Sequence, residues 1–278
     1  MMARTAEIVA DGLVFPEGPR WHDNRLWISD QHDRRVVTVT GNGLVETVVE
    51  VAGQPSGLGW LPDGRLLVVS MRDRRGIRLE PDGLVEHADL GPLVSADCND
   101  MVVDAVGRAY VGNFGFDLYG GERPRDTTII RVDPDGKAAI AADDLGFPNG
   151  SVITPDGGTL LVGESMAGRI TAFAIGDDGT LDNRRTWAAL TGATVDGMCL
   201  DADGCVWVAC PGTGRALRVR EGGEVVDEIR GSHPGVYACM LGGPEHRTLF
   251  LCTAPSHEAT VTTARRSGRI EAIVVETP

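Results

Sequence analysis

NGSVITPDGGTLLVGES, residues 149–165, packs an apolar strand, a Pro-Asp-Gly turn and a second apolar strand into one short block. The same block recurs five more times: EGPRWHDNRLWISD from Glu17, SGLGWLPDGRLLVVS from Ser56, NDMVVDAVGRAYVG from Asn99, DGMCLDADGCVWVA from Asp196 and YACMLGGPEHRTLFLCT from Tyr237. Successive starts lie 39, 43, 50, 47 and 41 residues apart. A period of this length is that of a four-stranded propeller blade, and six copies fill the chain. The spacing therefore predicts an all-β fold, a six-bladed β-propeller, with residues 1–278 as one domain. Each block supplies the inner hairpin of a blade, and the stretches between blocks, such as GRITAFAIGDDGTLDNRRTWAAL after the fourth, supply the outer pair. AEIVADGLV, residues 6–14, precedes the first block and is strand-like. It is expected to complete the C-terminal blade beside RIEAIVVE and close the ring, removing its free edge.

Composition agrees with many turns. Gly 37 and Pro 15 make up about 19% of the 278 residues, against roughly 12% in average usage. Short Val, Ile and Thr runs bounded by Gly, Pro, Asp and Asn read as strands joined by tight turns. The net charge of −14 argues against nucleic acid as a partner, because phosphate contacts need clustered Lys and Arg. The acidic surface also disfavours self-association without forbidding it, so no oligomeric state is assigned. The N-terminal MMARTAEIVADGLVF has no apolar core of signal-peptide length, and nowhere do 18 apolar residues run together, so no membrane is expected and a cytoplasmic location is the default. Six cysteines, none in a CxxC, are expected to be buried free thiols.

Superposing the six blocks places Glu17, Ser56, Asn99, Asn149, Asp196 and Tyr237 at one equivalent position, the start of each innermost strand. In a propeller that strand lines the axis, so the six residues would form a ring. Four of them offer an oxygen, as two carboxylates and two carboxamides. Asn-Gly and Asp-Gly taken singly are ordinary turn dipeptides, but four such residues converging by symmetry suit a divalent cation, which relieves the repulsion between the carboxylates. An all-oxygen set without His or Cys favours Ca²⁺, Mg²⁺ or Mn²⁺; Zn²⁺ accepts carboxylates but prefers other ligands.

FPEGPRW, NDMVVDAVGR, GFPNGSVITPDG and DGMCLDADG, in this order and at blade spacing, resemble the senescence marker protein/gluconolactonase family of six-bladed calcium-dependent propellers, over essentially the whole chain. The resemblance implies one axial Ca²⁺ held by Glu17, Asn149 and Asp196, with Asn99 as a fourth ligand or a substrate contact, and Asp196 as catalytic base. Sugar-lactonase members tend to carry an Arg two residues before that Asn, where this chain has Asp97. A carboxylate cannot donate the hydrogen bonds of a guanidinium to sugar hydroxyls, so Asp97 bears on substrate choice.

The expected chemistry is metal-assisted opening of a small lactone or ester: the cation polarises the carbonyl and Asp196 activates water, or attacks directly. The irregular FGFDLYGGERPRDTT between Phe114 and Thr128 is a candidate loop over one face, with Phe114, Phe116 and Tyr119 as an apolar lid. His233 and Tyr237, in SHPGVYAC, are further candidates for substrate contact. Glu164 and Ser165 end a second strand as outer support or as solvated residues. Cys98 lacks the nearby His that a thiol nucleophile needs, and PSGLG around Ser56 starts a blade rather than forming a nucleophile elbow. Three alternatives stand beside the lactonase: an organophosphate or phosphotriester hydrolase on the same metal, a non-catalytic ligand-binding propeller with a structural cation, and a metal-free strictosidine-synthase-like enzyme.

Overall fold

Strand Leu66–Ser70 shows why the sequence lacks the apolar-polar alternation of a half-exposed sheet. Leu66 and Val68 pack toward one neighbouring sheet, beside Val36 and Leu58, while Leu67 and Val69 pack toward the other, beside Met101 and Val111. A strand buried on both faces must be apolar at every position. In the computed structural model, which describes residues 4–278, this arrangement repeats around the molecule. The first three residues of the N-terminal stretch MMARTAEIVADGLVF lie outside the described residues.

Six antiparallel sheets form the blades. Blade 1 runs outward through Pro16–His22, Arg25–Asp30, Arg35–Val39 and Val45–Glu50. Blade 2 uses Pro55–Trp60, Leu66–Ser70, Arg75–Glu80 and Gly83–Asp89. Blade 3 uses Cys98–Val103, Ala109–Asn113, Thr127–Val132 and Ala138–Leu145. Blade 4 uses Pro148–Ile153, Thr159–Glu164, Arg169–Ile175 and Leu181–Ala189. Blade 5 uses Met198–Leu200, Val206–Cys210, Arg215–Val219 and Val225–Arg230. Blade 6 takes Gly235–Gly242, Thr248–Ala254 and Gly268–Val274 from the C-terminal part and Glu7–Leu13 from the N-terminal part.

The expected closure is therefore present: Glu7–Leu13 pairs antiparallel with Gly268–Val274, with Glu7 opposite Ala272 and Leu13 opposite Gly268. A feature not expected from the repeat is the two-residue strand Arg4–Thr5, which adds a fifth, parallel strand to the outer edge of blade 5. The first strands of adjacent blades touch around the axis. The apolar core is accordingly a ring of clusters, one at each junction between neighbouring blades. Among the described residues the one α-helix is Ala259–Arg265, which packs near blade 1 through His32 and Thr262 and through Arg266 paired with Asp33. No helix of the described residues is long and apolar enough to cross a membrane.

Candidate functional site

In five of the six blades the innermost strand is interrupted by a bulge at the ring position. The pairing register shifts between Glu17 and Arg20 in blade 1, Pro55 and Leu58 in blade 2, Cys98 and Met101 in blade 3, Pro148 and Ser151 in blade 4, and Val236 and Ala238 in blade 6. In blade 5 the regular strand starts at Met198, just after Asp196 and Gly197. A bulge re-aims the side chain it carries, and here it does so at the same place in five blades.

The glycine after most ring residues has a packing cause. A Cβ on Gly57 would sit 2.3 Å from the Met101 nitrogen, and one on Gly150 2.5 Å from the Asp196 carbonyl oxygen. Adjacent blades approach too closely at these points for any other residue. The Asn-Gly and Asp-Gly pairs are thus bulge-and-contact elements rather than hairpin turns. Blade 3 places Asp100 where the others tend to carry glycine. Asp100 is buried and accepts a hydrogen bond from Arg20 Nη2 at 2.6 Å, while the same guanidinium donates to the Met101 carbonyl at 2.5 Å.

Glu17, Asn99, Asn149 and Asp196 all line one cavity of about 460 Å³. Asn99, Asn149 and Asp196 are buried, and Glu17 is half-buried. Asn149 Nδ2 donates to Ser165 Oγ at 3.1 Å, and Asn99 Nδ2 lies 3.5 Å from the Pro148 carbonyl. With both amide nitrogens engaged, the two amide oxygens remain as acceptors. Burial pushes the Glu17 carboxyl up to about 8; the Gly18 N–H, donating at 2.9 Å, opposes this, and the Asp100 charge adds to it. Burial also raises Asp196 well above the ordinary carboxylate range, reinforced by the charges of Glu17 and Asp100. Arg20 is the one cation acting on Glu17, and it is already paired with Asp100. When all three are ionised, these mutually repelling carboxylates stand against one guanidinium, so full ionisation of Glu17 and Asp196 leaves a surplus of two negative charges for something else to satisfy.

That surplus is the charge of a divalent cation, and the donor set is all oxygen, as hard cations such as Ca²⁺ require. Among the described residues no three His, Cys, Asp or Glu side chains gather into a metal cluster, so any site here must be a mixed carboxylate and carboxamide one. The residues present fit it. Four of the six ring positions supply oxygens, while Ser56 is buried with its hydroxyl 3.3 Å from Gln31 Nε2, and Tyr237 presents its phenol to the cavity.

The remaining expected residues divide. Phe114, Tyr119 and Tyr237 line the cavity, as does Ser165. Phe114 stacks on Phe147 with ring centroids 4.6 Å apart, and Tyr237 meets Phe15 edge-on at 4.8 Å. Burial raises the Tyr237 phenol well above its ordinary value, so it remains a neutral donor beside the carboxylates. Phe116, by contrast, is wholly buried in a cluster with Met71, Phe114 and Phe147 and does not reach the cavity. Asp97 and His233 also fall outside the lining. Asp97 is half-buried and feels the charges of Arg72 and Asp117, and His233 Nε2 donates to the Ser267 carbonyl at 2.8 Å. Neither is in place to contact a substrate in this cavity. Glu164 is neither solvated nor on the cavity wall: it is buried against Arg169, Thr171 and the Gly146 N–H. All six cysteines are free and buried, and burial pushes the Cys98 thiol up to about 12, the opposite of an activated nucleophile.

The repeat also holds a second ring, one that carries no shared sequence motif. The residue directly after the second strand of each blade is Gln31, Met71, Phe114, Ser165, Pro211 and Pro255, and all six line the cavity above the oxygen ring. Two residues before the ring position, Phe15, Phe147, Thr194 and Gly235 line it too, whereas the equivalent Gln54 and Asp97 do not. His257, next to the helix, completes the mouth.

Comparison with known proteins bears on the fold and the family. The chain is 29% identical to the 6-deoxy-6-sulfogluconolactonase of Pseudomonas putida over 162 residues, covering 56% of this chain and 53% of that protein. It is 28% identical to regucalcin of Danio rerio, covering 56% of this chain and 54% of that one. The chain thus spans about half the length of these two relatives. With the pentonolactonase of Haloferax volcanii the identity is 26% over 255 residues, covering 89% and 84% of the two chains. Regucalcin from Agrobacterium tumefaciens, solved as a crystal structure of a calcium-binding protein, superposes with a TM-score of 0.78 at 19% identity and covers 100% of this chain and 99% of its own, which establishes the shared fold. Residues 15–255, which contain both rings, match the family model for the SMP-30/gluconolactonase/LRE-like region, and the chain belongs to that family.

Proposed function

We propose that this chain, acting as a single propeller domain, opens a small cyclic ester by adding water to its carbonyl, at a site where Glu17, Asn99, Asn149 and Asp196 hold one divalent cation, Ca²⁺ in the first instance. The observation that supports this reading most strongly is the pair of carboxyl groups, Glu17 and Asp196, that line one cavity and whose ionised forms the protein alone leaves poorly compensated. Relatives named as lactonases support the reaction class.

When bound, the cation would supply Lewis-acid polarisation of the ester carbonyl. Asp196 takes the proton from the attacking water: it lines the cavity beside Glu17 and Asn149 and is the carboxylate at the ring position of blade 5. Asn149 steadies the Asp196 carboxylate and is itself anchored by Ser165, whose hydroxyl donates to the Val195 carbonyl at 2.6 Å. Glu17 is fixed at the bulge of blade 1 and keeps the local charge negative. The neutral phenol of Tyr237, at the sixth ring position, is the donor placed to protonate the departing alkoxide.

The test is turnover of γ- and δ-lactones, aldonolactones and a fluorophosphate by chelated protein, before and after addition of Ca²⁺, Mg²⁺, Mn²⁺ or Zn²⁺, with Asp196→Asn alongside. Cation-restored lactone hydrolysis that is lost in Asp196→Asn is expected. Turnover of the fluorophosphate alone would move the chain to the phosphotriester reading, and stoichiometric cation binding without any turnover would make it a binding propeller.

A further inference from the structure

The oxygen ring forms only the floor of the cavity; its wall has a different character. At the six second-ring positions four side chains are Met71, Phe114, Pro211 and Pro255. The two polar ones are already engaged. Gln31 Nε2 faces Ser56 Oγ at 3.3 Å, and Ser165 Oγ donates to the Val195 carbonyl while accepting from Asn149.

On one side the stacked Phe114 and Phe147 continue into Leu118 and the half-exposed Tyr119 at the mouth. On the other, Pro211, Pro234 and Pro255 present rings without even a backbone N–H. Among the described residues no Lys or Arg lines the cavity. A polyhydroxylated ring brought here would bury several hydroxyls against carbon, and buried hydroxyls without partners oppose binding. An alkyl or aryl substituent would instead replace water on the same wall.

We infer that the site selects a lactone carrying an apolar substituent, an alkyl or aryl chain of several carbons, over a sugar lactone. The inference rests on the proposed reaction for the word lactone, but its physical content is the wall, which can be tested without turnover. The carbonyl end would sit at the oxygen ring and the substituent would lie along Phe114, Phe147 and Tyr119. The wall's remaining polar side chains are Thr194, Ser256 and His257.

The measurement is calorimetric binding of three non-hydrolysable lactams to the intact protein, with and without Ca²⁺: unsubstituted δ-valerolactam, its 6-pentyl derivative and glucono-δ-lactam. Each methylene taken out of water is worth about fourfold in affinity, so the pentyl lactam should bind at least about 100-fold more tightly than the unsubstituted one. Glucono-δ-lactam should gain nothing over the unsubstituted ring. Because the wall makes the preference, it should persist without Ca²⁺, and Tyr119→Ser should shrink it by about tenfold. Tighter binding of the sugar lactam than of the pentyl lactam, or no gain from the pentyl chain, overturns the inference. Hydrolysis of the parent lactones is scored separately. Ranking as expected without turnover would fail the proposed reaction alone, and turnover with the sugar lactone preferred would fail this inference alone.

Discussion

Glu17 and Glu164 are both glutamates held away from bulk water in inner strands of their blades, yet their surroundings treat them oppositely. Glu164 is fully buried and receives Arg169 Nε at 2.7 Å, Arg169 Nη2 at 3.0 Å, the Gly146 N–H at 2.8 Å and the Thr171 hydroxyl. Although burial works against its charge, these donors together hold it below the usual carboxylate range. Glu17 receives one backbone N–H and has other carboxylates as neighbours, so burial dominates and pushes it up to about 8. Burial alone therefore does not distinguish a structural carboxylate from a functional one. The distinction lies in whether the fold supplies the donors or leaves the charge for something else to satisfy.

The sharpest way to break this comparison is to neutralise one member of each kind. Asp196→Asn removes the proposed base and one charge from the unsatisfied set. It should lower kcat for lactone hydrolysis by about a thousandfold or more at saturating Ca²⁺, while the melting temperature stays within a few degrees of wild type. Retained activity would mean that Asp196 is only another buried acid. Glu164→Ala should do the reverse. Losing the acceptor of four donors should cost about 3 kcal/mol in urea unfolding, while turnover per folded molecule stays unchanged, because Glu164 does not line the cavity.

Next in size is the response to the cation itself. At a hundredfold excess over its Kd, Ca²⁺ should raise unfolding stability by about 2.7 kcal/mol. A chelator should remove the increment. Glu164→Ala should show the same increment on its lower baseline, and Glu17→Gln should lose most of it. An equal increment in Glu17→Gln would place the cation somewhere other than the ring.

The sequence carried the ring because the repeat did. Once Glu17, Asn99, Asn149 and Asp196 fall on one position of six blocks, the symmetry of the fold brings them together whatever the loops do. The same logic applied one strand later would have found Gln31, Met71, Phe114, Ser165, Pro211 and Pro255, but these residues share no chemistry, and a ring of unlike side chains gives no motif to notice. Asp97 and Phe116 lie off the cavity wall for a related reason. Asp97 is equivalent to Phe15 and Phe147, which do line the cavity, and Phe116 is two residues from Phe114, which does. Adjacency in sequence could not tell which way an irregular segment turns its side chains. Glu164 was not legible either, since its role depends on Arg169 and Thr171 across the hairpin and on Gly146, contacts made only by the fold.

The smallest expected effect tests the electrostatic half of the comparison directly. In cation-free protein Glu17 has a folded-state value of about 8 against an ordinary carboxylate value of 4.5. A group raised in this way contributes stability that is fully present below the unfolded value and is lost as pH rises through the folded one. In chelator, the melting temperature of wild type relative to Glu17→Gln should therefore fall steadily between about pH 4.5 and pH 8, because Gln cannot ionise and only the wild-type protein comes to carry the buried charge. The variant is the necessary reference, since paired acids such as Glu164 and Asp33 are lowered and destabilise both proteins equally as pH falls. With saturating Ca²⁺ the same difference should turn in favour of wild type as pH rises, since the cation favours the ionised carboxylate and binds more tightly as protons leave. A difference that is flat with pH in chelator would show that Glu17 is satisfied by the protein alone, as Glu164 is, and the ring would then need no cation to complete it.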